Sequence, residues 1–482
     1  MNLKLSFNID DSPSSPSLRV ERDDCIADTI RVSEKNQIST KGQFFKINFL
    51  NVIKSKDIMS KLAINGGTPA KDAKVNPWPK WPVWDEKEEK ALLEVLNSGV
   101  WSYNGPKEME FDKNFAEYTG VKYAISAANG TVTLQMALEA CGVGVGDEVI
   151  LPGLTWQATA ATILDANATP ILVDVCEDTW CIDPKAIEAA ITPKTKAIIP
   201  VHLYGSFCDM DEIMRIAKKH NLYVIEDCAH KHGGEWNGKK AGSIGDIGSF
   251  SFQLSKHLTA GEGGVVTTNN FELAERLDAL RNCGRRPVME ETADKGAGVY
   301  VDQGNFLQSG NFRITEFQAA ILIEGLKRMP AQNKNRDTNG IYLNSLIAKI
   351  PGIKPMKRDE RETEEAYFNF AFRYFKDDFK GLPVKKFREA LTAEIGIQVA
   401  ASYEPLNKCS LYVPHTKPAR HKLNDEYWAG IDPKRFDLPV CDRIHFEESV
   451  CVHHKVLMGT KTDMEMIAAA IQKIYDNAEE LM

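Results

Sequence analysis

The stretch that most restricts the fold runs from Lys122 to Glu226, where short apolar, β-branched runs alternate with amphipathic segments. The pattern predicts strands at Lys122–Ala127, Glu148–Leu151, Pro170–Val175, Ala197–Val201 and Tyr223–Glu226. Between them it predicts helices at Thr131–Cys141, Gln157–Asp165, Pro184–Ala190 (opened by Asp183 as its cap) and Met210–His220. Strands joined through helices run parallel, and a parallel sheet is buried by helices on both faces. The expectation is therefore an α/β protein built on a mostly parallel sheet. Ligands of such sheets collect at the carboxyl ends of the strands, so polar residues there become candidates for chemistry.

Outside this stretch the order changes. At 482 residues the chain is too long for one ordinary core. Residues 1–58 carry a Ser/Pro cluster at Ser12–Ser17 and no sustained period, and are expected to be a poorly ordered extension, with Met59 opening a natural-looking start. A Pro/Trp-rich arm from Trp78 to Trp84 follows, then helices from Asp85 to Gly99 and from Pro106 to Gly120. After Gly325 come a helix at Tyr342–Ile350, an exposed-face strand at Tyr367–Tyr374, a helix at Lys385–Ile395 and a closing helix at Asp463–Leu481. The expected division is 1–58 extension, 59–325 large domain with its N-terminal arm, and 326–482 small α+β domain.

A net charge of −8 argues against nucleic acid or an anionic membrane as partner. The ten cysteines, Cys141, Cys176, Cys181, Cys208, Cys228 and Cys283 among them, include no CxxC pair, which reads as reduced thiols with no zinc site or other metal. No apolar run reaches membrane-spanning length. A soluble cytoplasmic protein is expected.

Several strand ends carry unusual polar groups. Asn129-Gly130-Thr131 opens a helix, where free N–H groups, the dipole and a hydroxyl make a phosphate seat. Trp156 can stack on a ligand plane. Asp227 ends a buried strand and needs a partner such as a protonated ring nitrogen, and His230 lies three residues on. Ser251 can add a phosphate contact, and Lys256 follows it in a polar turn where burial would depress its pKa and allow a Schiff base. Each has an ordinary reading too: a helix cap, a core tryptophan, a capping aspartate, a backbone-bonded histidine, a solvent-facing serine and a hairpin lysine. Taken together, a phosphate seat, a stacking ring, an anion for a pyridinium and an amine for an aldehyde describe pyridoxal 5'-phosphate.

The ordered set Asn129-Gly130-Thr131, Val201-His202-Leu203-Tyr204-Gly205, Glu226 through His230, Ser251 through Gly264 and Gly310 through Gln318 resembles the DegT/DnrJ/EryC1/StrS aminotransferases. The resemblance implies a fold-type I (aspartate-aminotransferase-like) architecture with a seven-stranded type of sheet. It implies Lys256 as the lysine bonded covalently to the cofactor, Asp227 as partner of the ring nitrogen and Trp156 as the stacking ring. Gly130, Thr131 and Ser251 match phosphate ligands, and His230 stands where many relatives have glutamine, its partner atom open. Asn311 matches a residue that reaches the cofactor phosphate of a neighbouring subunit, which implies a homodimer with shared sites. Pro77 through Pro82, Leu154 through Ala160 and Tyr403-Glu404-Pro405-Leu406-Asn407 resemble the branch acting on keto-cyclitols. That branch takes in the L-glutamine:scyllo-inosose and 2-deoxy-scyllo-inosose aminotransferases, with 3-amino-5-hydroxybenzoate synthases as neighbours. Trp81, Tyr103, Tyr403 and Asn407 are its expected substrate contacts.

The leading expectation is a ping-pong transaminase that takes the amine of glutamine or glutamate to a keto-cyclitol or keto-sugar. A lyase or dehydratase of the aminohydroxybenzoate-synthase type is the alternative. A nicotinamide oxidoreductase is disfavoured, because Gly261-Glu262-Gly263-Gly264 precedes a strand instead of linking a strand to a helix. A regulator would need a DNA-binding module, and residues 1–58 show no basic helical pair.

Overall fold

The computed structural model describes residues 61–103, 105–285, 305–417 and 423–482, together with five short strands near the N-terminus. Two units are separate by their internal contacts. The first, Met1–Thr68, holds those strands (Lys4–Ser6, Ser17–Glu21, Asp28–Ser33, Gln37–Thr40 and Gln43–Lys46) in an antiparallel order. The remainder of the expected 1–58 extension lies outside the described residues.

In the second unit, Pro69–Met482, seven strands form the central sheet. They are β1 Tyr123–Ala127, β2 Glu148–Pro152, β3 Thr169–Val173, β4 Thr195–Ile198, β5 Tyr223–Asp227, β6 Ile247–Ser251 and β7 Gly264–Thr268. Their order across the sheet is β1-β7-β6-β5-β4-β2-β3, and β7 alone runs antiparallel to its neighbours. Val224, Ile225, Val149, Ile150, Val265 and Val266 are fully buried, as strands covered on both faces require. The covering helices are α1 Glu86–Ser98, α2 Pro106–Thr119, α3 Gly130–Ala140, α4 Ala158–Asp165, α5 Pro184–Ala190, α6 Met210–His220 and α7 Phe271–Arg281. Side chains fix where several of them start: Asn129 accepts from the Val132 N–H, Asp183 from Lys185, Asp209 from Glu212 and Asn270 from Leu273. Register aligns the rim, with Asp227 beside Ser249, Ser251 beside Gly264, and Gly264 beside Ala127.

The C-terminal part departs from expectation in three places. The helix expected at Tyr342 begins far earlier, as α8 Glu316–Ile347, and crosses residue 325. Its middle lacks an apolar stripe because its buried groups are polar and bonded: Asn333 Nδ2 donates to the His232 carbonyl at 2.7 Å, and Asn339 Nδ2 to the Leu457 carbonyl at 2.8 Å. The strand expected to have an exposed face, β9 Asn369–Tyr374, is buried on both faces. It pairs with β8 Ile353–Pro355 and β11 Ser449–His453, while β10 Val399–Ala400 completes the sheet. Phe370 and Phe372 are buried on one face and Arg373 on the other, where Nε donates to Glu448 at 2.8 Å. The closing helix ends at Asp476, and a short 3-10 turn covers Ala478–Leu481.

Candidate active site

A cavity of ≈ 710 Å³ opens at the carboxyl rim of the sheet, within the size range of ligand sites. Gly130, Thr131, Trp156, Asp227, His230, Ser251, Lys256 and Tyr403 all line it.

At one end, the Asn129 side chain caps α3 through Val132 N–H at 3.0 Å. The N–H groups of Gly130 and Thr131 then open the helix with no partner inside it. A Cβ on Gly130 would lie 2.5 Å from the Ser251 Cβ, so the close approach of helix start and strand end needs glycine there. These donors and the Ser251 hydroxyl form a concavity suited to an anion.

At the other end Asp227 terminates β5 and is buried. Its Oδ2 accepts from Thr159 Oγ1 at 3.0 Å and its Oδ1 from the Ala229 N–H at 3.2 Å. Burial raises its pKa, against the lowering effect of those two donors and of Lys256. Thr159 in turn bonds Thr155, oxygen to oxygen at 3.0 Å. The neighbouring Glu226 carboxylate points into the opposite side of the sheet, where it accepts from the N–H groups of Gly242, Ile244 and Gly245 and from His202 Nε2. With Cys228 this His202–Glu226 pair converges within 4.8 Å, but its oxygens are taken up in holding the Gly242–Gly245 turn.

Lys256 sits in the turn beyond β6, its N–H bonded to the Gln253 carbonyl at 2.8 Å. Its Nζ lies 4.2 Å from the centre of the Phe368 ring. Burial lowers its pKa to about 8, the Asp227 charge opposing, so a usable fraction of the amine is neutral near physiological pH. His230 stacks on the same Phe368 ring, 3.9 Å between centroids at 12°. Its Nδ1 accepts from the Tyr204 N–H at 3.4 Å, so Nε2 carries the proton and donates to Tyr403 Oη at 3.2 Å. Burial holds this ring neutral, its pKa well below the ordinary value. Tyr204 adopts φ 58°, a left-handed conformation for a bulky residue, and its phenol accepts from the Tyr403 N–H at 2.8 Å. Trp156 is half exposed, its ring 5.6 Å from that of Tyr403.

Trp81, Tyr103, Asn311 and Asn407 do not line this cavity. Trp81 Nε1 donates to the Leu254 carbonyl at 2.9 Å, and its ring borders a separate apolar cavity of ≈ 460 Å³ with Trp84 and Leu258. The ring of Tyr103 lies against the guanidinium groups of Arg285 and Arg313. Asn407 Nδ2 is tied to the Phe436 carbonyl at 3.0 Å. Asn311 is exposed and its Oδ1 accepts from the Arg313 N–H at 3.2 Å. Sequence reasoning missed Thr155, Thr159, Tyr204 and Phe368. The two threonines lie four residues apart, Thr155 in the turn before α4 and Thr159 in its first turn, on either side of Trp156, and were readable; Phe368 reaches the site from the segment just before β9 and carried no local signal.

A seat of helix N–H groups, a carboxylate at a strand end, an indole face and a partly neutral amine around one cavity fit pyridoxal phosphate. Residues 82–457 match the model of the DegT/DnrJ/EryC1/StrS aminotransferase family. The chain belongs to the DegT/DnrJ/EryC1/StrS aminotransferase family. It is a fold-type I, pyridoxal-phosphate-dependent aminotransferase. This aminotransferase is 44% identical over 426 residues to the L-glutamine:2-deoxy-scyllo-inosose aminotransferase of Streptoalloteichus tenebrarius, covering 87% of this chain and 99% of that protein. It is 39% identical over 428 residues to the L-glutamine:scyllo-inosose aminotransferase of Streptomyces griseus, covering 88% and 99%. Its fold matches the crystal structure of 3-amino-5-hydroxybenzoic acid synthase with a TM-score of 0.69 and 30% identity, covering 84% of this chain and 98% of that one. Among the described residues, no helix is long and apolar enough to cross a membrane.

Proposed function

We propose that this aminotransferase transfers the amino group of L-glutamine to a keto-cyclitol of the scyllo-inosose type. The observation that carries this reading is the 44% identity spanning 99% of a relative named for that donor and for 2-deoxy-scyllo-inosose. Pyridoxal phosphate, when bound, supplies an aldehyde for amine exchange and a protonated ring that accepts electron density. Gly130, Thr131 and Ser251 hold its phosphate, and Trp156 covers one face of its ring. Asp227 holds the proton on the ring nitrogen. Lys256 Nζ would anchor the cofactor and would hold or move the proton at the carbon bearing nitrogen. His230 is a further cofactor contact, and Tyr403 presents a hydroxyl on the acceptor side; both line the cavity. Trp81, Tyr103 and Asn407 are proposed substrate contacts that lie outside this cavity.

The functional unit is a homodimer in which Asn311 reaches the cofactor phosphate of the neighbouring site. Its exposure and its position outside the cavity of its own chain support that role. Residues 59–325 act as the cofactor-binding domain and 326–482 as the smaller domain that supplies Tyr403. The cytoplasm is the proposed location, supported by unpaired thiols, most of them buried, among the described residues.

Amine transfer from L-glutamine, measured across free keto-cyclitols and nucleotide-linked keto-sugars, tests this assignment. Turnover of a scyllo-inosose-type ketone is expected; turnover confined to nucleotide-linked sugars overturns it. The 30% identity to 3-amino-5-hydroxybenzoic acid synthase keeps one alternative, a lyase on the same scaffold. Product mass separates them, since amine transfer retains the ring hydroxyls and dehydration loses water.

A further inference from the structure

Thr159 behaves unlike its neighbour on the same helix. Thr162 turns its hydroxyl back onto the carbonyls of Ala158 and Thr159, at 3.1 and 3.2 Å, the usual choice of a helical threonine. Thr159 instead reaches across to Asp227 Oδ2 at 3.0 Å, and its oxygen meets the Thr155 hydroxyl at 3.0 Å. Thr155, Thr159 and Asp227 are 2%, 1% and 6% exposed, so charge, and not water, decides which way their protons point. An ionised carboxylate accepts and cannot donate, so the one proton of Thr159 goes to Asp227. The Thr159 oxygen is then left as acceptor for the proton of Thr155. Both side chains are β-branched and stiff at χ1, which holds the pair in place at little entropic cost. With the Ala229 N–H on Oδ1, two donors fix the carboxylate from both ends, and Thr159, Asp227 and Ala229 all face the cavity.

We propose that Thr155 and Thr159 form a hydroxyl relay that aims the Asp227 carboxylate at the ring nitrogen of the cofactor, Thr159 being a positioning residue and not a catalytic one. This deepens the functional reading above and rests on its cofactor. Removing the Thr159 hydroxyl takes away one of the two donors that orient Asp227. A hydrogen bond to a charged group corresponds to about a 10- to 100-fold effect on an equilibrium.

The test is the Kd of pyridoxal phosphate for apo-protein, read by quenching of tryptophan fluorescence, in a double-mutant cycle. Thr159→Val keeps the shape and removes the donor, and is expected to weaken binding about tenfold or more. Thr159→Ser keeps the hydroxyl and is expected to bind within about twofold of the parent, which a packing role for the lost methyl would not allow. In an Asp227→Ala background, Thr159→Val is expected to add nothing, because the relay has lost its target. Thr159→Val with parental Kd, or an equal loss in both backgrounds, overturns the relay. If the parent apo-protein itself takes up no pyridoxal phosphate, the cofactor assignment fails instead, so the two failures are distinguishable. Melting temperatures of all variants identify any that lose the fold, and Thr159→Ser then decides the matter, since its hydroxyl is the group in question.

Discussion

At the scale of single residues the proposed chemistry rests on Lys256 and Asp227, each altered by burial. The Lys256 amine titrates at about 8, so its neutral, nucleophilic fraction falls about tenfold for each pH unit below that value. The rate at which apo-protein incorporates pyridoxal phosphate should therefore climb with pH and level off above about pH 8. A rate flat across that window contradicts a buried, titrating lysine, and Lys256→Ala should lose both the cofactor-linked absorbance and turnover. His230 invites a subtler test. Its Nε2 proton is directed to Tyr403, so Tyr403→Phe leaves that donor without its partner. A buried donor left unpaired costs about 1–3 kcal/mol of stability, which predicts a lower melting temperature, and loss of the hydroxyl on the acceptor side predicts a fall of about fivefold in kcat/KM. Unchanged kcat/KM removes Tyr403 from the acceptor site. The types of these residues at strand ends were legible in the sequence. The pairing of His230 with Tyr403 was not, since it joins positions 173 residues apart.

The elements matter through where they start and stop. The anion seat exists because Asn129 caps α3 and because Gly130 lets the helix start press against Ser251. In Gly130→Ala the new methyl must displace one or the other, an overpacking cost of about 1–3 kcal/mol. Cofactor Kd is expected to rise about tenfold or more, measured on apo-protein; a Kd like the parent's refutes the seat. Most element boundaries within the large sheet were readable to within a few residues because the strand centres are apolar and several helices carry Asn or Asp caps, although β4, expected at Ala197–Val201, runs Thr195–Ile198. The start of α8 was missed, although it carries a Thr315–Gln318 capping box and an apolar stripe through Ala319, Leu322, Ile323, Leu326 and Met329; what breaks the pattern is the middle, where Pro330 and the buried Asn333, Arg336 and Asn339, which answer to polar partners on other segments, interrupt the stripe.

For the whole molecule, a cluster of neutral histidines lies behind the lysine turn. His232 Nε2 donates to the Ser251 carbonyl at 2.9 Å, its Nδ1 faces His257 Nδ1 at 3.3 Å, and His454 accepts from Arg336 Nε at 3.2 Å. Burial depresses their pKa values, that of His232 to about 3. Unfolded histidines titrate near 6.5, so below that pH the unfolded state binds more protons than the folded one. Stability is accordingly full above about pH 6.5 and is lost as pH falls, by up to ~1.4 kcal/mol per pH unit for each such histidine. Urea midpoints at neutral and mildly acid pH measure this; a midpoint that does not fall contradicts neutral burial. The proposed shared-site dimer has its own test. Mixing inactive Lys256→Ala with weakened Asn311→Ala chains should restore turnover, because one site of the mixed dimer keeps both native groups. Mixtures no more active than their components would place Asn311 outside the site.

The sequence by itself determined the fold class and pointed to the cofactor, and its resemblance to the aminotransferase family supplied the reaction class. Strand–helix alternation dictates a parallel sheet, such a sheet has one carboxyl rim, and the polar residues that the chain places there are few and chemically specific. Tertiary structure decided what those groups touch. Thr159 on Asp227, Phe368 beneath Lys256 and His230, and the histidine cluster behind them are contacts between distant segments. Local periodicity records which face of an element is buried, and carries no information about the partner that buries it.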